Sequence, residues 1–344
     1  MERKKHIPVN ELREFVVNNV GKHPHDLTAR ITQHFGITRQ SAANRLRKFV
    51  DEGVLEAEGR TKARRYALRN FVDESVTQDV SDRLAEDTEW RNNILPYLNG
   101  VPKNVLDICQ YGFCEMVNNV IDHSEAKKFI IAVTRNVLVI NLVVWDFGVG
   151  IFNKIQRDFD LDDPRHALLE LSKGKLTSDP DKHTGEGVFF TSRMFDEFSI
   201  VSDTLVYLAR KSYDEWLIDF ENRVKKRTGT VVTMAIANDA QQTIQEVFKK
   251  YSDDEWRFMR THVPLRLAKY EGEQLVSRSQ AKRLLARVDR FSEVMLDFDG
   301  VSTIGQAFAD EIFRVYSKSH QDVEIVAINT APEVQQMIDR VINE

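Results

Sequence analysis

Apolar positions through the first fifty residues recur every three or four, which predicts helices. Leu12, Phe15, Val16 and Val20 form one stripe, and Leu27, Ile31 and Phe35 form a second that stops at Gly36. Thr38 is placed to cap a third helix, whose inner face is Ala42, Leu46, Phe49 and Val50 and which Gly53 ends. From 54 to 68 the pattern becomes a loose alternation around a Gly-Arg-Thr-Lys tip at 59–62, which predicts a two-stranded hairpin. The stretch 71–104 is polar and reads as a helical connector. Pro102 marks the start of a helix through 115, and 128–145 reads as a hairpin turning at Arg135-Asn136. A loop and helix follow over 151–183, and Gly185 and Gly187 open a helix over 188–195. Strands are expected at 198–208, 215–220 and 230–237.

A charged helical connector is expected over 238–262. Beyond it strands at 264–270, 293–298 and 323–328 alternate with helices at 278–291, 306–317 and 332–342, which predicts a small α/β layer. No internal repeat or low-complexity tract interrupts the chain.

The length of 344 residues suits two or three domains. A 42% hydrophobic and 29% charged composition is that of a globular protein, which sets aside disorder and fibrous classes. No apolar run approaches the roughly 18 residues of a membrane span, and the basic start MERKKHIPVN leads into no apolar signal core. With Cys109 and Cys114 the only cysteines, and at neither metal nor redox spacing, a cytoplasmic location is expected. Charge is uneven. Residues 1–70 hold 15 Lys and Arg against 8 Asp and Glu, a balance of +7, so a whole-chain charge of −5 leaves −12 on the rest. A basic module on an acidic body predicts an anion-binding front end.

The candidate chemistry lies in three segments. In FCEMVNNVIDHS, Glu115, Asn119, Asp122 and His123 share one helical stripe. Glu115 can polarise a water aimed at a terminal phosphate, Asn119 can offer a neutral oxygen to Mg2+, and Asp122 can accept from a nucleotide group or a metal-bound water. A solvated polar face is the plain alternative. Asp146 then follows the strand NLVVW and precedes Gly148 and Gly150. A carboxylate at a strand end, with glycines allowing close approach of a flat ring, suits an exocyclic amine such as adenine's. Finally, Gly185 and Gly187 frame amides at a helix start, which suits phosphate. Helix, strand end and helix start in this order predict an ATP site. His123 and His183 are expected to order hydrogen bonds rather than bind metal, because no third soft ligand accompanies them.

This order resembles the GHKL ATPase superfamily of gyrase, MutL, sensor histidine kinases and anti-sigma-factor kinases. Glu115 and Asn119 resemble its N box, Asp146-Phe-Gly148-Val-Gly150 its adenine-reading box, and Gly185-Glu-Gly187 its glycine box. Thr230 in GTVVTMAI resembles the late-strand threonine that supports adenine. The resemblance covers about 90–237 and implies a Bergerat α/β sandwich over 101–237 that binds Mg-ATP, with Asn119 on the magnesium and 151–184 as a lid. Lys173 and Lys175 would sit in that lid within reach of phosphates, a solvated pair being the alternative. Sensor histidine kinases carry an acceptor histidine just ahead of this domain. Residues 71–104 hold none, the nearest upstream being His34, which argues against histidine autophosphorylation.

Residues 1–69 resemble a winged helix-turn-helix, and their outward residues imply a double-stranded DNA partner, a winged module used for protein contacts or dimerisation being the alternative. On the third helix these are Arg39, Gln40, Asn44, Arg47 and Lys48. Arg60, Lys62, Arg64 and Arg65 in the hairpin would contact the DNA backbone. Residues 263–344 resemble a STAS-like domain of unknown function. The corner at which the related anti-sigma antagonists carry an acceptor serine here reads Gly305-Gln306-Ala307, so an interaction with a protein partner is expected, with Asp297 and Asp299 as turn formers.

The expectation is therefore a multidomain α+β chain: winged helix, Bergerat sandwich, then a small STAS-like α/β domain. Its expected function is that of an ATP- and Mg2+-dependent, DNA-binding transcription regulator with no membrane association. An anti-sigma-type serine/threonine kinase and a nucleotide-binding scaffold remain as alternatives. ATP hydrolysis, a homodimer and the DNA target stay open.

Overall fold

The computed structural model describes residues 8–60, 63–81, 83–177, 184–210, 217–218, 227–268 and 273–343. Three helices open the chain: α1 Val9–Val20, α2 Leu27–Phe35 and α3 Arg39–Asp51. Their stripes meet in a core of Leu12, Val16, Leu27, Ile31, Leu46 and Phe49. The Thr38 side chain caps α3 by accepting from the Ser41 amide at 3.2 Å. Strands β1 Leu55–Glu58 and β2 Arg65–Leu68 pair antiparallel, and Leu55 and Tyr66 close this core. The unit has its own core, separate from that of the rest of the chain.

The middle of the chain is built on a seven-stranded antiparallel sheet. Its strands are β3 Val72–Asp79, β4 Lys128–Arg135, β5 Val139–Asp146, β6 Glu197–Asp203, β7 Leu205–Arg210, β8 Leu217–Ile218 and β9 Arg227–Ala237. They lie in the order β3-β4-β5-β9-β6-β7-β8. Burial alternates along β4, β5 and β6, as one covered face requires. The helices of this part are α4 Glu86–Asn93, α5 Lys103–His123, α6 Ile151–Asp158, α7 His166–Lys173 and α8 Gly187–Met194. Helix α5 buries Val105, Ile108, Phe113, Met116, Val117 and Val120, and packs on β5, β9 and α8. That leaves Glu115 and Asn119 on its flank.

Residues 72–79 are not part of a helical connector. They form β3, paired along its length with β4 from Val72↔Arg135 to Asp79↔Lys128. An edge strand has one pairing side and little to bury, so its composition resembles that of a solvated linker. Only Val72 and Val76 within it pack against the core. The second expected connector also differs. Helix α9 spans Ile244–Tyr251 behind a Thr243–Glu246 capping box, and β10 is Arg260–Pro264, so Pro264 ends a strand rather than opening one. Most of the strand expected at 215–220 lies outside the described residues, apart from β8.

The last part is a three-stranded parallel sheet in the order β10-β11-β12, with β11 Glu293–Asp297 and β12 Glu324–Ile328. Its helices are α10 Arg278–Leu285, α11 Gln306–Asp310, α12 Ser317–Ser319 and α13 Pro332–Asn343. A π-helical stretch Glu311–Tyr316 joins α11 to α12. Helix α10 stops six residues before the expected end, because the chain turns at Arg287 with φ 63° and enters a short 3-10 turn, Val288–Arg290.

The sheet parts share one continuous hydrophobic core. At their junction Phe189 and Phe190 of α8 meet Tyr251 and Phe258 through ring centroids between 4.5 and 6.4 Å, and Phe258 in turn meets Phe291 at 5.1 Å. Arg193 lies 3.4 Å over the Phe189 ring and donates to the His262 carbonyl at 3.3 Å, tying α8 to β10. Among the described residues no helix is long and apolar enough to cross a membrane.

Candidate functional site

A cavity of about 330 Å³ opens beside the sheet, where the ends of α5 and β5 and the starts of α6 and α8 come together. Glu115, Asn119, Asp122 and His123 reach it from α5, Asp146 from the end of β5, and Thr230 and Val232 from β9. Gly150, Ile151 and Lys154 line it from the start of α6, Leu171 and Leu176 from α7 and the residues after it, and Gly185, Glu186 and Gly187 from the start of α8. The size is that of small-ligand sites. Apolar walls from Val144, Ile155, Ile200 and Val232 face the polar groups.

Asp146 is the polar centre, at 4% exposure. Its Oδ1 accepts from the Gly148 amide at 2.8 Å. The Thr230 hydroxyl accepts from the Ile151 amide at 3.0 Å, and Thr230 also hydrogen-bonds Asp146. Burial pushes the Asp146 carboxyl above the usual carboxylate range, and these hydrogen bonds oppose the shift without cancelling it. A side chain at 148 has no room, since its Cβ would fall on the Ser124 carbonyl oxygen. That carbonyl accepts from the Val149 amide at 2.9 Å. The Gly-x-Gly spacing thus lets the chain leaving β5 press against the end of α5.

Gly187 has a similar reason. A Cβ there would meet Glu115 Oε2, so glycine lets the start of α8 close on the α5 carboxylate. Burial raises the Glu186 carboxyl, partly offset by Lys175 nearby. It also raises the Tyr111 hydroxyl, with the Glu115 and Glu186 charges adding to the shift. The carboxylates of Glu115, Asp122, Asp146, Asp158 and Glu186, the carboxamides of Asn118 and Asn119, and helix-start residues thus share one cavity.

Glu115, Asn119, Asp122, His123, Asp146, Gly150, Gly185, Gly187 and Thr230 all line this one cavity. Gly148 supports the cavity from behind rather than lining it. Two residues of the expected lid are placed differently. The Lys173 ammonium, expected near phosphates, is 1% exposed and bonds to Glu170 at 2.7 Å, facing away from the cavity. Lys175 donates to the Arg290 carbonyl at 2.8 Å and lies 4.6 Å from the Phe291 ring centroid. Lys173 is held by Glu170 and by carbonyls of Arg283 and Ala286, and Lys175 by a carbonyl and aromatic rings of the last domain, against the desolvation that burial imposes on each ammonium. His183 and Lys62 lie outside the described residues.

Sequence reasoning passed over Lys154 and Glu186, which also line the cavity. Lys154 lies four residues after Gly150, one turn into α6, and pairs with Asp158 at 3.1 Å. Glu186 was visible as the acid between two glycines.

On the first unit, Arg39, Gln40, Asn44, Arg47 and Lys48 are exposed together on α3, with Gln40 donating to Asn44 at 3.1 Å. Arg60 is exposed, whereas Arg64 is half-buried 5.3 Å from the Tyr66 ring centroid. In the last domain Asp297 accepts from the Asp299 amide and from Asn329, each at 3.0 Å, which is the turn-forming role expected of it. An unforeseen partner, His262 Nε2, lies 2.8 Å from its other oxygen. Burial opposes ionisation of Asp297, but these hydrogen bonds hold its carboxyl below the usual range.

A family model described as a STAS-like domain of unknown function (DUF4325) matches residues 280–335. The match runs from α10 into α13, so the last part of the chain carries a STAS-like domain. Strand β10 precedes the matched stretch yet pairs with β11, which makes it a full member of that sheet. A search of the curated proteins finds no match to the chain.

Gly148→Ala should destabilise the central sheet by about 2–3 kcal/mol, since backbone must move to admit the methyl. Gly21→Ala is the control, because nothing lies within 4 Å of a Cβ there and its φ is −65°. Chemical denaturation followed by tryptophan fluorescence should separate the two variants; equal midpoints would rule out the packing account.

Proposed function

We propose that the chain is an ATP-binding regulator of the GHKL type, with a Bergerat-fold nucleotide site in its central domain and a winged helix-turn-helix that binds double-stranded DNA. The observation that carries this reading is the buried Asp146 carboxylate, held by Gly148 and Thr230 in a cavity that Glu115, Asn119 and the α8 start also line. A buried acceptor against apolar walls suits the exocyclic amine of adenine. The amides at 185–187 would hold phosphates at a helix start. Lys154 brings a further positive charge to the cavity, at present shared with Asp158.

ATP would bring Mg2+ with it. Asn119 would offer it one neutral oxygen, with phosphate oxygens and water as the other ligands, in keeping with the few protein ligands Mg2+ takes. Among the described residues no three His, Cys, Asp or Glu side chains group together as a metal site. When bound, the magnesium neutralises phosphate charge. Glu115 then acts as general base, taking a proton from water or from a hydroxyl, which serves a hydrolase and a protein kinase alike. A regulator is favoured over a kinase here because the exposed basic face of α3 supplies a nucleic-acid partner, whereas the Gly305-Gln306-Ala307 corner holds no hydroxyl acceptor.

Asp146→Asn should weaken Mg-ATP binding at least tenfold, as expected on loss of a charged hydrogen-bond partner. Glu115→Ala should leave affinity nearly intact and lower turnover by about 10²–10⁴. Acidity provides an internal check. The folded-state carboxyl of Asp146 is raised, so protonation stabilises the fold and that contribution grows as pH falls. Ligand capture needs the ionised form, so affinity should be constant above the raised pKa and fall below it. Calorimetric titration across pH 4–8 would test this, and an Asp146→Asn variant that binds ATP like the parent would refute the site.

DNA binding has its own test. Paired replacement of Arg39 and Arg47 by alanine should weaken duplex binding and reduce the salt slope by about 2. Titration of duplex fragments at several salt concentrations, with and without Mg-ATP, measures both terms. A salt slope unchanged by the double replacement would assign the α3 face to another partner.

A further inference from the structure

Helix α7 stands between the cavity and the STAS-like domain, and its two sides are made of different chemistry. Leu171 and, just past the helix, Leu176 and Thr177 line the cavity. Glu170, Lys173 and Lys175 turn toward the last domain. The Lys173 ammonium donates to Glu170 Oε1 at 2.7 Å, to the Ala286 carbonyl at 2.8 Å and to the Arg283 carbonyl at 3.4 Å. The other oxygen of Glu170 accepts from Arg287 at 3.0 Å. Thr261 of β10 donates to the Lys173 carbonyl at 2.7 Å. Two residues on, past the end of α7, Lys175 and Arg290 bond reciprocally, each side chain donating to the other's carbonyl, at 2.8 and 2.9 Å.

Several of these contacts join groups that ordinary packing would leave apart. The Ala286 carbonyl lies just past the end of α10 and accepts from a lysine of another domain, while the Arg283 carbonyl, which already accepts from the Ala286 amide at 3.3 Å, takes a second contact from the same ammonium. Arg287 sits at φ 63°, a conformation that a non-glycine residue adopts only at a cost, and this turns the chain into the segment facing α7. From there its guanidinium also lies 4.7 Å from the ring centroid of Phe159, and Phe159 lines the cavity. The STAS-like domain therefore touches the cavity wall at Phe159, at α7 and at Lys175.

We propose that residues 283–291 of the STAS-like domain are a clamp on the cavity wall, setting the position of α7 and Leu176 and so coupling occupancy of the cavity to the state of the last domain. Whatever engages the STAS-like domain at this segment changes affinity in the cavity, and occupancy of the cavity changes affinity at the segment by the same factor. The clamp stands on protein contacts alone; its ligand arm rests on the nucleotide reading of the cavity.

Hydrogen exchange on the full chain separates the two. Without nucleotide, Arg287→Ala and Arg290→Ala should each speed exchange of the amides at 168–176 about tenfold or more while leaving 105–120 unchanged. Arg290 is exposed, so its replacement tests the clamp even if loss of Arg287 unfolds the chain. Unchanged exchange at 168–176 in Arg290→Ala, and in Arg287→Ala where that folds, overturns the clamp. With Mg-ATP, the parent should gain protection at both 146–151 and 283–291, and Arg287→Ala should bind about tenfold more weakly. Protection at 146–151 alone overturns the coupling. Protection at neither overturns the nucleotide reading, and the clamp is then decided by the nucleotide-free arm.

Discussion

The cavity depends on one close approach of backbone to backbone. The end of α5 and the end of β5 meet where the Ser124 carbonyl accepts from the Val149 amide, with no space for a side chain at 148. This contact aims Asp146 inward and keeps it buried. It also fixes the distance between the α5 flank, with Glu115 and Asn119, and the strand end. At 187 glycine lets the α8 start lie against the Glu115 carboxylate on the same flank, a contact with the movable end of a side chain rather than with backbone. The glycine at 148 is thus the structural condition for a site whose chemistry belongs to other residues. The cost is a carboxylate held in low-dielectric surroundings, seen in the raised Asp146 carboxyl.

The other organising feature is buried charge between domains. Lys173, Glu170 and Arg287 form a network in which the lysine is 1% exposed. Burial depresses the Lys173 ammonium, and Glu170 opposes that depression. Such networks add little net stability compared with apolar packing, yet breaking one partner commonly costs about 3–5 kcal/mol. Their effect is to make a docking arrangement specific. The aromatic cluster of Phe189, Phe190, Tyr251, Phe258 and Phe291 supplies the adhesion, and the ionic network fixes the register in which the STAS-like domain meets α7. The first unit shares neither feature and keeps its own core.

Much of this was legible in the sequence. The helical stripes of α1 to α3, the hairpin at 128–145 and the parallel alternation after 278 follow from periodicity, because each buries one face and the other stays polar. The cavity residues were legible because their chemistry is unusual for their positions: acids and amides on an otherwise apolar helix, and an acid framed by glycines at a strand end. Strand β3 was not legible, since an edge strand with two core-facing valines carries almost no period. Lys173 and Lys175 were misjudged for a different reason. A lysine in a connecting segment looks solvated or phosphate-bound, and only tertiary structure brings the carbonyls of Arg283, Ala286 and Arg290 to it. Arg287 and the His262–Asp297 pair were hidden in the same way, by partners remote in sequence.

The central claim is that Asp146 accepts a hydrogen bond from the amine of a purine ring in this cavity. The most direct measurement is a pair of calorimetric titrations of the full chain, one with Mg-ATP and one with Mg-inosine triphosphate, which carries a carbonyl where adenine has its amine. The account predicts that inosine triphosphate binds at least about tenfold more weakly, because an acceptor would face the buried carboxylate. Equal affinities for the two nucleotides would contradict it.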